Sequence, residues 1–113
     1  SKFNQPIGAW DVSNVIDMGT MFDRSAFNKA IGAWDVSNVT DMSGMFFFGS
    51  FDQDISSWNV SKVERMNGMF YRSLFTNDIS NWNISNVTLC NDFHTVSFNS
   101  SGKMPNFTNC SPD

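Results

Sequence analysis

One column of side chains with chemistry in it runs along the chain: Asp11, Asp35, Asn59 and Asn83, each 24 residues after the last. Carboxylates stacked about 5 Å apart repel by roughly 0.8 kcal/mol even in bulk water. The change to Asn in the later copies relieves that repulsion in a solvated ladder. A Ca²⁺ ion between Asp11 and Asp35 would relieve it too, with oxygen ligands of the right kind. The rest of the chemical inventory is thin. The single histidine, His94, falls in a column otherwise filled by Phe22, Phe46 and Phe70, the place of a cap or core-edge residue rather than of a base or ligand. Met18, Met21, Met42, Met45, Met66 and Met69 share no column with His or Cys in the first three copies, which argues against a soft-metal site. Trp10, Trp34, Trp58 and Trp82 could stack on sugars, but their spacing puts them on the side of Val12 and Val36, which makes them core. No nucleophile–base pair, phosphate loop or zinc spacing is visible, so the expectation is a chain that is not an enzyme and needs no cofactor.

These residues are positioned by a repeat. Phe3, Phe27, Phe51 and Phe75 keep the 24-residue period, as do Ile7, Ile31, Ile55 and Ile79, and Val15, Val39, Val63 and Val87. A unit this short cannot bury its own apolar face, so stacked units must share one core. Within a unit the pattern changes. Around Trp34 and Val36 it alternates, with Ala33, Asp35 and Ser37 outward, which predicts a strand. From Val39 through Met42, Met45 and Phe46 the spacing is helical, and Ser37 stands where it can cap the first turn. Gly44 and Gly68 weaken such a helix by roughly 1 kcal/mol against Ala, which keeps it to one or two turns, partly 3₁₀. Loops such as 47-FFGS-50 join the units. The expected fold is an α/β solenoid: a right-handed, leucine-rich-repeat-like coil of four units over residues 3–26, 27–50, 51–74 and 75–98. Each unit would pair a short parallel strand with a short helix, and residues 99–113 would form a C-terminal cap closing the single domain 1–113.

Length and charge limit the rest. The 113 residues suit one domain, and a net charge of −4 argues against a nucleic-acid footprint. No apolar run approaches the ~20 residues of a membrane-spanning helix. Cys90 and Cys110 are the two cysteines. They are either a disulfide or two buried thiols; a bridge would clamp the tail, with Met104 and Phe107 as plugs, over the last coil and would imply an oxidising compartment. Asn38, Asn59, Asn83, Asn86, Asn99, Asn106 and Asn109 each begin an N-x-S/T acceptor sequence. Two of them, Asn59 and Asn83, lie on the outward strand face, where a glycan would cover it. Ser1 and Lys2 lead straight into Phe3. Either further coils or a signal region precede the first unit, or its bare end docks on another molecule.

The segment 27-FNKAIGAWDVSNVTDMSGMF-46 resembles the leucine-rich-repeat-like units of BspA-type surface proteins, which recur in Listeria, lactobacilli and mycoplasmas. The likeness covers roughly residues 3–98. It implies an extracellular, non-catalytic role in adhesion or surface display and carries no binding residues with it. The expected function is therefore cell-surface display, adhesion, or protein or glycan binding. The alternative is a structural subunit of an extracellular filament that assembles with itself through coil ends. The candidate binding face is the outward strand face, Asp11, Asp35, Asn59 and Asn83 with the small flanking residues Ala33, Ser57 and Asn81. Partners are a protein or glycan on a cell surface, not nucleic acid, with no membrane insertion in this segment.

Overall fold

A computed structural model describes residues 2–113; Ser1, with which the bare-end expectation begins, lies outside them. The α/β solenoid does not form. The only helix among the described residues is α1, Val96–Asn99, four residues long and capped by the Thr95 side chain. Strand pairing is confined to isolated parallel bridges, Asp17 to Asp41, Asp41 to Arg65 and Arg65 to Leu89, and no sheet is built from them. The bridges also lie away from the Trp–x–Val segments, inside the stretch expected to be helical.

Backbone hydrogen bonding explains both departures. The N–H groups of Met18, Thr20, Phe22 and Arg24 donate to the carbonyls of Asp41, Ser43, Met45 and Phe47 in the next segment, at 2.7–2.9 Å. A parallel ladder needs reciprocal bonds from the alternate amides of that next segment. Instead Met45, Phe47 and Gly49 donate back to Met42, Gly44 and Phe46 of their own segment, closing i to i+3 turns. The same turns close at Met21, Asp23 and Ser25, and again at Met69, Tyr71 and Ser73. Half of each would-be ladder is thus spent on turns, and no strand can extend.

A helix is excluded by residues in the left-handed region. Thr20, Gly44, Gly68 and Asp92 sit at φ 58°, 63°, 67° and 55°. Four residues on, Arg24, Phe48 and Arg72 sit at 55°, 54° and 56°. Such a residue in place of a right-handed one breaks the i to i+4 series. Gly44 and Gly68 are therefore turn residues rather than weak points of a helix, whereas each non-glycine residue there costs roughly 1–2 kcal/mol. The helical spacing has a different origin. A β-turn, like a helix, brings residues three apart onto one side. Ile31 to Trp34, Val36 to Val39 and Met42 to Met45 are all closed by such turns, and all six side chains are buried.

Cohesion between layers then falls to side chains. The Nε1–H of Trp34, Trp58 and Trp82 donates to the carbonyls of Ile7, Ile31 and Ile55 at 3.0–3.1 Å, bridging layers where no backbone ladder runs. Each of these carbonyls also closes its own turn. The Asn4 side chain accepts the Asn28 N–H, that of Asn28 accepts the Asp52 N–H, and that of Asp52 accepts the Thr76 N–H. Phe22, Phe46 and Phe70 stack at 5.3–5.7 Å and interleave at 4.2–4.4 Å with Phe27, Phe51 and Phe75. The tail covers the last layer. Ile79 donates to the Lys103 carbonyl and Phe93 to that of Pro112, while Phe107 packs on Phe93 at 5.0 Å.

Trp10 is 55% exposed where Trp34 is 4%. Trp34→Ala is expected to lower the free energy of unfolding by about 3–5 kcal/mol. Trp34→Phe, which removes the hydrogen bond and the five-membered part of the indole but keeps an aromatic ring, should cost less, about 1–3 kcal/mol. Trp10→Ala should cost far less than Trp34→Ala. Urea titrations of the three variants check this, and equal losses at positions 10 and 34 would contradict the clamp.

Candidate functional site

The Asp/Asn column is exposed, and its oxygens are engaged locally. Asp11 Oδ1 accepts both the N–H and the hydroxyl of Ser13, at 3.0 and 2.6 Å. Asp35 does the same with Ser37, at 3.0 and 2.5 Å. Asn59 and Asn83 accept the N–H groups of Ser61 and Ser85. The column and its serines are Asx turns that begin the second turn of each layer, and the serines are not helix caps. The Ser13 and Ser37 hydroxyl bonds, with their backbone partners, hold the Asp11 and Asp35 carboxyls below the ordinary range, while Asp11 pushes that of Asp35 back up. For calcium, the described residues bring together no group of three or more His, Cys, Asp or Glu. Ala33 is exposed beside them, and Ser57 and Asn81 donate to the Gly32 and Ser56 carbonyls.

The acceptor asparagines divide by what their amide nitrogens do. Nδ2 of Asn38, Asn86, Asn99 and Asn109 donates to the carbonyls of Ser13, Ser61, Pro112 and Ser85. Those bonds tie layers or the tail together, and a glycan on any of these nitrogens would take one of its two hydrogens and crowd the contact. The buried Oδ1 of Asn99 has no hydrogen-bond partner. Asn59, Asn83 and Asn106 are exposed without such a bond among the described residues.

Cys90 and Cys110 are bridged across a sequence separation of 20. His94 is buried next to them in chain order, and its ring continues the phenylalanine stack, 5.8 Å from Phe70 and 4.1 Å from Phe98. Its Nδ1 accepts the Thr95 N–H at 2.7 Å, so Nε2 carries the proton and donates to the Phe75 carbonyl at 2.8 Å. Burial pulls its pKa below the ordinary value, against the smaller upward pull of the Phe75 bond.

A second surface escaped the sequence reading. Phe47 and Phe48 take the places held by Asp23 and Arg24 one layer earlier and by Tyr71 and Arg72 one layer later. The Phe48 ring, 44% exposed, lies 5.2 Å from the Arg24 guanidinium and 5.5 Å from that of Arg72. Arg24 also lies over Phe47 and Arg72 over Tyr71, and Phe47 stacks on Tyr71 at 5.9 Å. Beside them a groove of about 340 Å³ is lined by Phe47, Thr20, Asp23, Ser43, Asn67 and two left-handed glycines, Gly44 and Gly68. The available signal was the change of two columns from polar to aromatic, at Phe47 and Tyr71 in one and at Phe48 in the other, within a segment read only as a loop.

These features define a turn-built, disulfide-closed stack whose polar columns hold its layers together and whose aromatic–arginine cluster is exposed. The chain matches the family described as "Mycoplasma protein of unknown function, DUF285" over residues 1–107, and it belongs to that family. This agrees with the mycoplasma side of the resemblance only loosely. No curated protein and no solved structure matches the chain.

Because the His94 pKa is lowered in the fold, its contribution to stability is complete above about pH 6.5 and is lost as the pH falls from there toward the lowered value. Urea midpoints should therefore drop between about pH 7 and 5, and His94→Phe, the residue of its column, should flatten that slope. The Asx carboxylates act only further into acid, below about pH 4. An unchanged slope in the variant would remove His94 as its source. Reducing the Cys90–Cys110 bridge should cost about 3 kcal/mol, read as a reductant-dependent shift in the same titration.

Proposed function

We propose that this chain is a non-catalytic binding module displayed outside the cell, of the BspA surface-protein kind, which holds a protein or glycan partner at a cell surface. The carrying observation is the Cys90–Cys110 bridge, which ties the tail to the last layer. Structural disulfides of this kind persist in oxidising surroundings, and family and bridge are both compatible with an extracellular location. The side chains that could do chemistry are committed to structure: His94 to the stack and the Phe75 carbonyl, and the Asp/Asn column to turns. A second reading is an extracellular filament subunit that assembles with itself through its layer ends.

The test is made on the native protein in intact cells. Impermeant lysine labelling should reach it before lysis, and thiol alkylation without reductant should leave both cysteines unmodified. Protection from the label together with alkylated cysteines would place it inside the cell and sink the proposal. Light scattering of the purified protein separates the two readings: a concentration-dependent polymer favours the filament, a monomer the module.

A further inference from the structure

We propose that Phe48, with Arg24 and Arg72 on either side, docks an extended acidic segment of a partner protein; this rests on the binding-module reading and names the partner's chemistry. Three observations point the same way. First, Arg24, Phe48 and Arg72 all occupy left-handed backbone positions, at φ 55°, 54° and 56°. Glycine would sit there without strain, as Gly44 and Gly68 do beside Thr20 and Asp92 in the neighbouring column, yet the chain places long exposed side chains at all three positions of this column. Strain retained at three successive exposed positions of one column is an indication of function.

Second, the charge is out of keeping with the rest of the chain. The molecule carries a net −4, and two of its three arginines converge on one aromatic ring. Arginines beside an exposed aromatic ring are the composition of interface hot spots. A carboxylate already reaches this cluster from within the molecule: Asp23 Oδ1 lies 3.6 Å from Arg24 Nε. A partner's carboxylate would engage the guanidiniums in the same way, in bidentate form where the geometry permits.

Third, the spacing suits an extended chain. Arg24 and Arg72 are two layers apart, about 10 Å at the ~4.8 Å spacing of hydrogen-bonded backbones, which equals about three residues of extended peptide. Because side chains alternate along an extended chain, carboxylates four residues apart, about 13 Å, share a face and lie within reach of the two long arginines, while the apolar side chain midway between them lies on Phe48.

The experiment uses the full chain and a fluorescent peptide repeating Glu-Leu-Thr-Asp, with its Gln-Leu-Thr-Asn counterpart as control, read by anisotropy. The acidic peptide should bind in a salt-sensitive way and at least about tenfold more tightly than the control. Phe48→Gly should lose that binding while its melting midpoint stays the same or rises, because the strain goes with the ring. Arg24→Gln/Arg72→Gln should lose both the binding and its salt dependence, and it keeps the test decisive if Phe48→Gly does not fold. No binding of the acidic peptide, equal binding of the control, retention by the double variant, or capture of an acidic polysaccharide in place of the peptide would overturn the proposal. None of these outcomes bears on surface labelling or cysteine status in cells, so this site and the display reading fail separately.

Discussion

Each layer turns half of its ladder amides back on itself, and the rest of the molecule follows from that division. Met18, Thr20, Phe22 and Arg24 donate forward to the next layer, while Met21, Asp23 and Ser25 donate inward. The inward bonds make the turns that let a 24-residue segment close into a layer. They also remove the reciprocal bonds that would have made a sheet. What holds the layers together is therefore an incomplete ladder, forward bonds from amides such as Thr20 and Phe22 with a few return bonds such as Thr40 to Ile16 and Ser50 to Ser25, reinforced by side chains at points the backbone does not reach. The tryptophan Nε1–H is the clearest case. It crosses to a carbonyl that already closes a turn, using the second lone pair of an acceptor that would otherwise be half satisfied inside the core. The asparagine side chains do similar work at the periphery, so many polar residues on this molecule are structural although they lie at its surface.

The closing end shows how the stack stops. His94 keeps the aromatic column going for one more ring, and Phe98 takes the position facing it at 4.1 Å. A phenylalanine at 94 would fill the same space but could not donate to the Phe75 carbonyl, which lies in the buried layer and needs a partner. The tail then supplies carbonyls from Lys103 and Pro112 to amides of the last layers, and the Asn109 side chain reaches Ser85 as Asn38 and Asn86 reach Ser13 and Ser61. The disulfide fastens a segment whose hydrogen bonds imitate those of a further layer.

Which residues are inside could be read from the 24-residue columns: Ile31, Trp34, Val36, Val39, Met42, Met45 and Phe46 are all buried. What they form could not. An apolar residue every third position satisfies a helix and a train of β-turns equally well, and the left-handed residues that decide between them are Thr20, Asp92 and Phe48 as often as glycine. Side-chain identity gave no warning of positive φ at those positions. The serines after the Asp/Asn column misled for a related reason. Ser and Asp two residues apart suit an Asx turn, and a serine before an apolar run also suits a helix cap. The aromatic–arginine cluster was missed because its members lie in the loops between the periodic columns, where only their departure from the neighbouring copies marks them.

That departure links architecture to function. In a stack made of turns, the left-handed positions are fixed by the backbone, and the first three layers each put a residue at this one. Glycine is the least costly choice and places nothing on the surface. A large side chain at the same position is held stiffly, because the turn on each side fixes its backbone and the rings and guanidiniums of adjacent layers pack against it. Arg24 and Arg72 pack against Phe48 from the layers on either side, and under the docking proposal a partner would lose less entropy on meeting this cluster than on ordering a loose loop. The strain that makes this column poor for stability makes it suitable for recognition. The neighbouring column, with glycine at 44 and 68, leaves the groove beside Phe47 open.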